Sequence, residues 1–277
     1  MRILIVTSAL LLAGLAPAAA VVRGEVARDP DGVRQSVVRV ESSKGELCSG
    51  ALIGYDLVLT AAHCLTEQAT YRVIGVDRGF RQRSIKAVAA AVHPDFVPGT
   101  TPRTQPGVDL AILKLERTLG TDFRPLDPTR TGRVGSGANV VLAGFGVIAE
   151  GQKQTARTLR QTSLVALGPM QVMNRVLVVA DGERLAETTG AGACRGDSGG
   201  PILAEAGGGY QLLGIVSWSS GAVEARDLTA CGGLTAVTPL SEHIRWIVEG
   251  ADALNRFAAT IPVAGRPAAE GQYMRRR

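Results

Sequence analysis

The sequence predicts an all-β protein, and three observations carry that expectation. Glycine supplies 34 of the 277 residues while aromatics make up 4%, a balance that favours many tight turns over long helices. Hydrophobic residues at 45% and charged residues at 20% allow a sizeable core and exclude a disordered or collagen-like chain. Short runs rich in β-branched residues recur between clusters of Gly, Pro, Asp and Ser, as in sandwiches and barrels.

In order, those runs are Ser36 to Glu41, Leu52 to Leu59, Tyr71 to Val76, Ile85 to Val92 and Asp109 to Leu115, then Asn139 to Ala143, Leu164 to Leu167, Val176 to Val179, Gln211 to Val216 and Leu234 to Val237. Between the two groups, Phe123 to Gly137 carries two Pro, three Gly and three Arg and reads as a connection between domains. The two halves show no residue-level repeat. One helix is expected, from Pro239 to Phe257, with Ser241 as its N-cap and Ile244, Ile247, Val248 and Leu254 as its apolar stripe.

The chain ends read differently from the body. After Met1-Arg2 comes an apolar run from Ile3 to Leu15, then Pro17 and the triplet Ala18-Ala19-Ala20, which suits a signal peptide cut after Ala20. An uncleaved anchor is the rival, because residues 3 to 22 carry no charge. The proline and the small residues favour cleavage. The expected product begins at Val21, is secreted or periplasmic, and has no membrane association once the signal is gone. Residues 258–277 lack a hydrophobic period and are expected to be a disordered basic tail. Most of the formal charge of +5 sits in Arg2, Arg266, Arg275, Arg276 and Arg277, so the body is close to neutral and a nucleic-acid groove is not expected.

Four cysteines, Cys48, Cys64, Cys194 and Cys231, allow three pairings. Nearest-neighbour pairing joins Cys48 to Cys64 and Cys194 to Cys231, closing loops whose entropy is worth about 3 and 4 kcal/mol. A zinc site would want a C-x-x-C spacing that is lacking, and no metal or other cofactor is expected.

The segment Cys194-Arg195-Gly196-Asp197-Ser198-Gly199-Gly200-Pro201 places a serine among glycines, where a backbone without Cβ atoms can turn sharply and aim N–H groups at one point. A serine hydroxyl needs a base, and the chain has three histidines. His63 follows an apolar strand beside Cys64, whereas His93 and His243 read as structural or solvated. The base needs a buried acid to hold its tautomer, and Asp109 stands at the mouth of the apolar run Leu110 to Leu115.

The motifs T-A-A-H-C, V-D-L-A-I-L-K-L and C-R-G-D-S-G-G-P, in that order, resemble the chymotrypsin/trypsin family of serine proteases, and the similarity runs from Val21 to about Val248. The chain is read as a secreted, bacterial-type member. The resemblance implies two perpendicular six-stranded antiparallel β-barrels: the first at 21–128 with His63 and Asp109, the second at 129–240 with Ser198, then a helix at 241–257. It implies a His63, Asp109, Ser198 triad, an oxyanion hole from the amides of Gly196 and Ser198, and a Ser217-Trp218-Ser219 edge that pairs with substrate as an added strand. It also implies activation by insertion of a freed Val21 amine beside Asp197, so that signal removal is itself the activating cut. Substrates are expected to be proteins or peptides, cleaved by a monomer.

Pocket residues are inferred from the same resemblance. Gly192 occupies the floor position, beside Ala193, with Val216 and Ser219 as walls and Arg195 at the rim, an arrangement that favours an uncharged side chain before the scissile bond. Glu224 or Asp227 entering the pocket would instead restore a basic preference. A family member that has lost catalysis and serves as a binding module is the alternative. A serine esterase with G-x-S-x-G is disfavoured by the order His, Asp, Ser.

Overall fold

The computed structural model describes residues 21–65, 68–225, 229–259 and 273–274. The chain runs through β1 (Glu25–Val26), β2 (Val37–Ser42), β3 (Leu47–Gly54), β4 (Leu57–Thr60), β5 (Tyr71–Val76), β6 (Gln82–Val92) and β7 (Ala111–Leu115). It then passes through β8 (Asn139–Gly144), β9 (Arg160–Gln171), β10 (Arg175–Ala180), β11 (Pro201–Ala206), β12 (Gly209–Ser219) and β13 (Thr235–Pro239) to the helix α1 (Ile244–Ala259). Strands β2 to β7 close in the order β6-β5-β2-β3-β4-β7, with β6 also paired to β7. Strands β8 to β13 close in the order β9-β10-β13-β12-β11-β8, with β9 also paired to β8. The fold is therefore two closed six-stranded antiparallel barrels, as the all-β reading anticipates.

Most runs lie where the sequence puts them, and the departures have local causes. Leu52 to Leu59 is not one strand: the chain turns at Tyr55-Asp56, and β3 pairs back onto β4 with Leu52 opposite Val58. Apolar residues flank a two-residue turn there, so the run reads as continuous. The strand β11 escapes the pattern because it opens on Pro201 and ends in exposed Glu205 and Ala206. A proline is tolerated at a strand's first residue.

The larger core fills the first barrel and reaches across to Phe145, Leu203, Leu212 and Ile215 of the second half. The second barrel has its own core of Val140, Leu142, Leu164, Val179, Ile202 and Val237, in which Val21 is completely buried. Each such aliphatic side chain contributes about 1.5 to 3 kcal/mol. The Phe123–Gly137 stretch starts against the first barrel, where Leu126 N donates to Leu52 O at 2.8 Å and Arg124 N to Gln35 O at 2.9 Å, and ends against the second, where Gly137 N donates to Ala166 O at 2.8 Å.

The helix α1 starts at Ile244, after a 3-10 turn over Leu240–Glu242. Ser241 lies inside that turn and does not cap the helix, because the chain is already helical before α1 begins. Ile247 and Leu254 are fully buried, with Trp246 and Ala251 packed beside them, while Val248 is 39% exposed. Although it follows the second barrel in sequence, α1 docks on the first. Buried Lys114 of β7 donates to Asp56 Oδ2 at 2.7 Å and to Asn255 Oδ1 of the helix at 2.8 Å. Beyond the helix, β14 (Tyr273–Met274) lies parallel to β6 at Ala90 and Ala91, so those two residues depart from the disordered tail expected there. The signal-peptide residues 1–20 lie outside the described residues.

Candidate active site

The strand β4 ends at Thr60, and the chain tightens into a 3-10 turn over Ala62–Cys64 that carries His63. A disulfide from Cys64 to Cys48 of β3 pins this turn, and Cys194 pairs with Cys231, so the nearest-neighbour pairing is the one present. Cys48, His63 and Cys64 cluster closely enough to suggest a metal site, but both sulfurs are bonded to each other and have no thiolate to offer.

Asp109 sits two residues before β7 and is fully buried. Its Oδ2 accepts from His63 Nδ1 at 2.8 Å and from Ser217 Oγ at 2.5 Å, and its Oδ1 accepts from the backbone N–H of His63 at 2.9 Å. Burial pushes this carboxyl up, yet the His63 charge and the bonds from His63 and Ser217 outweigh it and hold Asp109 below the ordinary carboxylate range. The acid is thus ionised at neutral pH and fixes the imidazole with Nδ1 inward, leaving Nε2 for other chemistry.

Half-buried Ser198 lies in the loop that leads into β11. Among the described residues its Oγ makes no hydrogen bond, to His63 Nε2 or to any other group. Such bonds are commonly long in unliganded sites and tighten around substrate. The backbone around it is directional. The N–H groups of Asp197, Gly199 and Gly200 donate to Cys194 O, Val216 O and Asp197 O, whereas those of Gly196 and Ser198 meet no acceptor among the described residues. These two amides, on either side of the Asp197 amide, leave their donors open to an incoming acceptor. Gly196 holds φ at +96° and Gly199 at +81°, and a Cβ on Gly199 would overlap Thr60 and the Ser49 carbonyl.

Ser49, not singled out by the sequence, fastens this loop from the other barrel. It is completely buried. Its N–H donates to Ser198 O at 2.8 Å, its Oγ donates to Gly196 O at 2.9 Å, and the same Oγ accepts from Phe145 N at 2.9 Å. A serine beside a strand cysteine has no distinguishing pattern, so only the contact across the barrels reveals it.

Asp197 is fully buried, and its carboxylate accepts from Gly146 N at 2.8 Å and Cys194 N at 2.9 Å. Desolvation still wins: the two amides and the Arg160 charge pull the carboxyl down, but burial pushes it up to about 7. Val21 is buried in the same barrel, and Val22 pairs with Gly192 as an isolated bridge. Val21 has φ at +52°. That conformation is strained for a β-branched residue because its Cβ crowds the backbone.

Around the expected pocket, Gly192 faces the Gly233 carbonyl and Thr235, and Ala193 N donates to Thr235 Oγ1 at 3.1 Å. Val216 is buried and packs in the barrel core, while Trp218 and Ser219 are half-buried on β12. Glu224 is exposed and its N–H bonds to Glu187 O, so it does not enter; Asp227 lies outside the described residues. Arg195 is not a bare rim charge. Its Nε pairs with Glu150, whose other oxygen accepts from Ala230 N at 3.1 Å. His93 and His243 stand apart, ring to ring at 5.2 Å, with His93 also 4.8 Å from Trp246.

The Trypsin family model matches residues 21–247. Curated relatives include vitamin K-dependent protein C of Rattus norvegicus, 30% identical over 82% of this chain and 50% of that protein. Another is chymotrypsin-like elastase family member 1 of Homo sapiens, 26% identical over 76% of this chain and 83% of that one. The chain spans half the length of the protein C relatives and about a quarter of serine proteinase stubble of Drosophila melanogaster. Among solved structures, mouse neuropsin matches with a TM-score of 0.63 at 20% identity, covering 83% of this chain and 100% of that one. Human heparin binding protein matches with a TM-score of 0.61 at 21% identity, covering 83% and 96%. These relatives are animal proteins and give the bacterial-type reading no support. A family model spanning both barrels, from buried Val21 to Ile247 of the helix, identifies the chain as a member of the trypsin family of serine proteases.

Proposed function

We propose that the chain is an exported serine endopeptidase in which Ser198 is the nucleophile, His63 its general base and Asp109 the residue that orients His63. The observation that carries this reading is the buried Asp109, which accepts three hydrogen bonds, two of them from His63, beside Ser198, whose carbonyl lies 3.8 Å from the Sγ of neighbouring Cys64 and whose loop holds the unpaired amides of Gly196 and Ser198. His63 Nε2 takes the Ser198 proton as Oγ attacks the peptide carbonyl, and the new oxyanion is met by the N–H groups of Gly196 and Ser198. The imidazolium returns its proton to the leaving amine, and water repeats the sequence on the acyl-enzyme. An oxyanion-hole donor of this kind supplies about 3 to 4 kcal/mol of transition-state stabilisation. The pocket around Gly192, Ala193, Val216 and Ser219 offers no described carboxylate, which favours an uncharged residue before the scissile bond.

Activation follows from the N-terminal segment. Removal of residues 1–20 frees the Val21 amine within the barrel that holds Asp197, supplying the cation that this buried carboxylate lacks. The cut also removes the preceding carbonyl, so the strain at Val21 disappears with the φ angle itself. The two disulfides suit the oxidising compartment that such export reaches. The barrels divide near residue 128, and a monomer suffices because both supply the site.

A fluorophosphonate tests the reading. It should label the secreted protein at Ser198, and Ser198→Ala should abolish labelling and turnover while leaving the fold intact. Undiminished peptide cleavage by that variant would sink the assignment.

A further inference from the structure

The loop between β6 and β7 carries a cation onto the face of β12 that an added substrate strand would use. Arg103 Nη2 donates to the backbone carbonyl of Ser219 at 2.8 Å, and its guanidinium carbon lies 5.4 Å from the centre of the Trp218 ring. Among the described residues no carboxylate pairs with Arg103, and the residue is exposed. Its charge therefore meets one neutral acceptor and a ring face, with the rest of its donor fork open to solvent.

The loop is built to hold that position. Buried Gln105 accepts from Val97 N at 3.0 Å and Gly107 N at 2.8 Å, and donates to Val97 O at 2.9 Å and Thr100 Oγ1 at 2.7 Å. Thr101 and Thr104 close a tight turn around Pro102 and Arg103, with their hydroxyls 2.9 Å apart. From the second barrel, Asn174 Nδ2 bonds to Gly107 O at 2.7 Å. Little of the ordering has to be done when a partner arrives.

Resting on the endopeptidase reading above, we infer that Arg103 is a specificity-determining residue that selects substrates with an acidic side chain two to four residues before the scissile bond. A substrate adding to the edge at Ser219 needs the carbonyl that Arg103 holds. A neutral or basic peptide competes with Arg103 for that carbonyl and offers the exposed guanidinium only water in exchange. An acidic side chain in the incoming strand exchanges a neutral carbonyl for a carboxylate, a stronger partner for the same fork.

The test uses the secreted protein and peptide sets that vary one position at a time, from the first to the fourth before the cut, among Glu, Gln and Lys. Glu should exceed Lys in kcat/KM by about fivefold at one or more of the second to fourth positions, the upper end expected of one ion pair at an exposed site. Arg103→Ala should level the set and improve Lys and Gln peptides, and Arg103→Glu should invert it. Peptide affinities measured with Ser198→Ala give the same comparison without turnover. An equal response to Glu and Lys, or a preference that survives in Arg103→Ala, overturns the proposal. Absence of fluorophosphonate labelling alongside charge-selective peptide binding would instead overturn only the endopeptidase reading.

Discussion

Ser217 contributes a single hydroxyl, and its value lies in where the partner is. A hydrogen bond to a buried carboxylate is worth ~1.5 to 3 kcal/mol, so Ser217→Ala should lower kcat by about tenfold or more with little change in KM. Steady-state kinetics on an uncharged-residue substrate would check this, and an unchanged kcat would mean that His63 and its backbone amide suffice to hold Asp109. Ser49→Ala makes a different prediction. It strands the Phe145 N–H in a buried site, at a cost of about 1 to 3 kcal/mol, and it also frees Gly196 O, so denaturant midpoint and kcat should fall together. Ser49 is an ordinary serine in the sequence, whereas the family resemblance already implies that the Ser217 hydroxyl supports Asp109. The acceptor that each finds on the other barrel fixes its geometry.

The helix α1 illustrates how an element acquires a pH response from its docking. His93, ahead of the loop that carries Arg103, is buried against His243 and Trp246, with Asp95 Oδ2 at 3.9 Å. Burial, with some help from the neighbouring imidazole, lowers its pKa from 6.5 to about 4, against the opposing pull of Asp95. His243 is lowered too, chiefly by burial. Between pH 6.5 and 4 the unfolded chain therefore binds more protons at His93 than the folded one. Stability is full above 6.5 and declines as pH falls towards 4, by up to about 3 kcal/mol. Thermal unfolding of Ser198→Ala from pH 7 to 4 should show this decline, and His93→Phe should flatten it. A parallel decline in both proteins would place the acid sensitivity elsewhere.

At the scale of the whole molecule, the proposed pairing of Val21 with Asp197 predicts that processing is coupled to stability. With Val21 internal, the Asp197 carboxyl titrates at about 7, above its unfolded value of 3.8, so the folded chain holds the extra proton. Stability then falls as pH rises from 3.8 through about 7, by an amount on the order of 4 kcal/mol. A free Val21 ammonium should reverse this by favouring the ionised carboxylate. On the Ser198→Ala background, a form beginning at Val21 and a form retaining one extra residue should diverge in Tm as pH rises from 5 to 8, the processed form being the more stable. Parallel profiles would refute the Val21–Asp197 pairing.

Strand content, the paired halves, the cysteine pairing and the order His63, Asp109, Ser198 were all legible in the sequence, because periodicity, turn chemistry and short motifs are local. The hairpin hidden in Leu52–Leu59, the 3-10 entry that displaces Ser241 from its cap and the docking of α1 on the first barrel were not. Each depends on which surface a segment meets, and apolar residues do not name their partners. The same holds for function. The motifs pointed to a triad, but the Ser49 anchor, the pairing of Arg195 with Glu150 and the placement of Arg103 on Ser219 arise from side chains 147, 45 and 116 residues apart in sequence. Arg195 meets Glu150 when the second barrel closes on itself, and only the closure of the two barrels against each other brings the other two pairs within bonding distance.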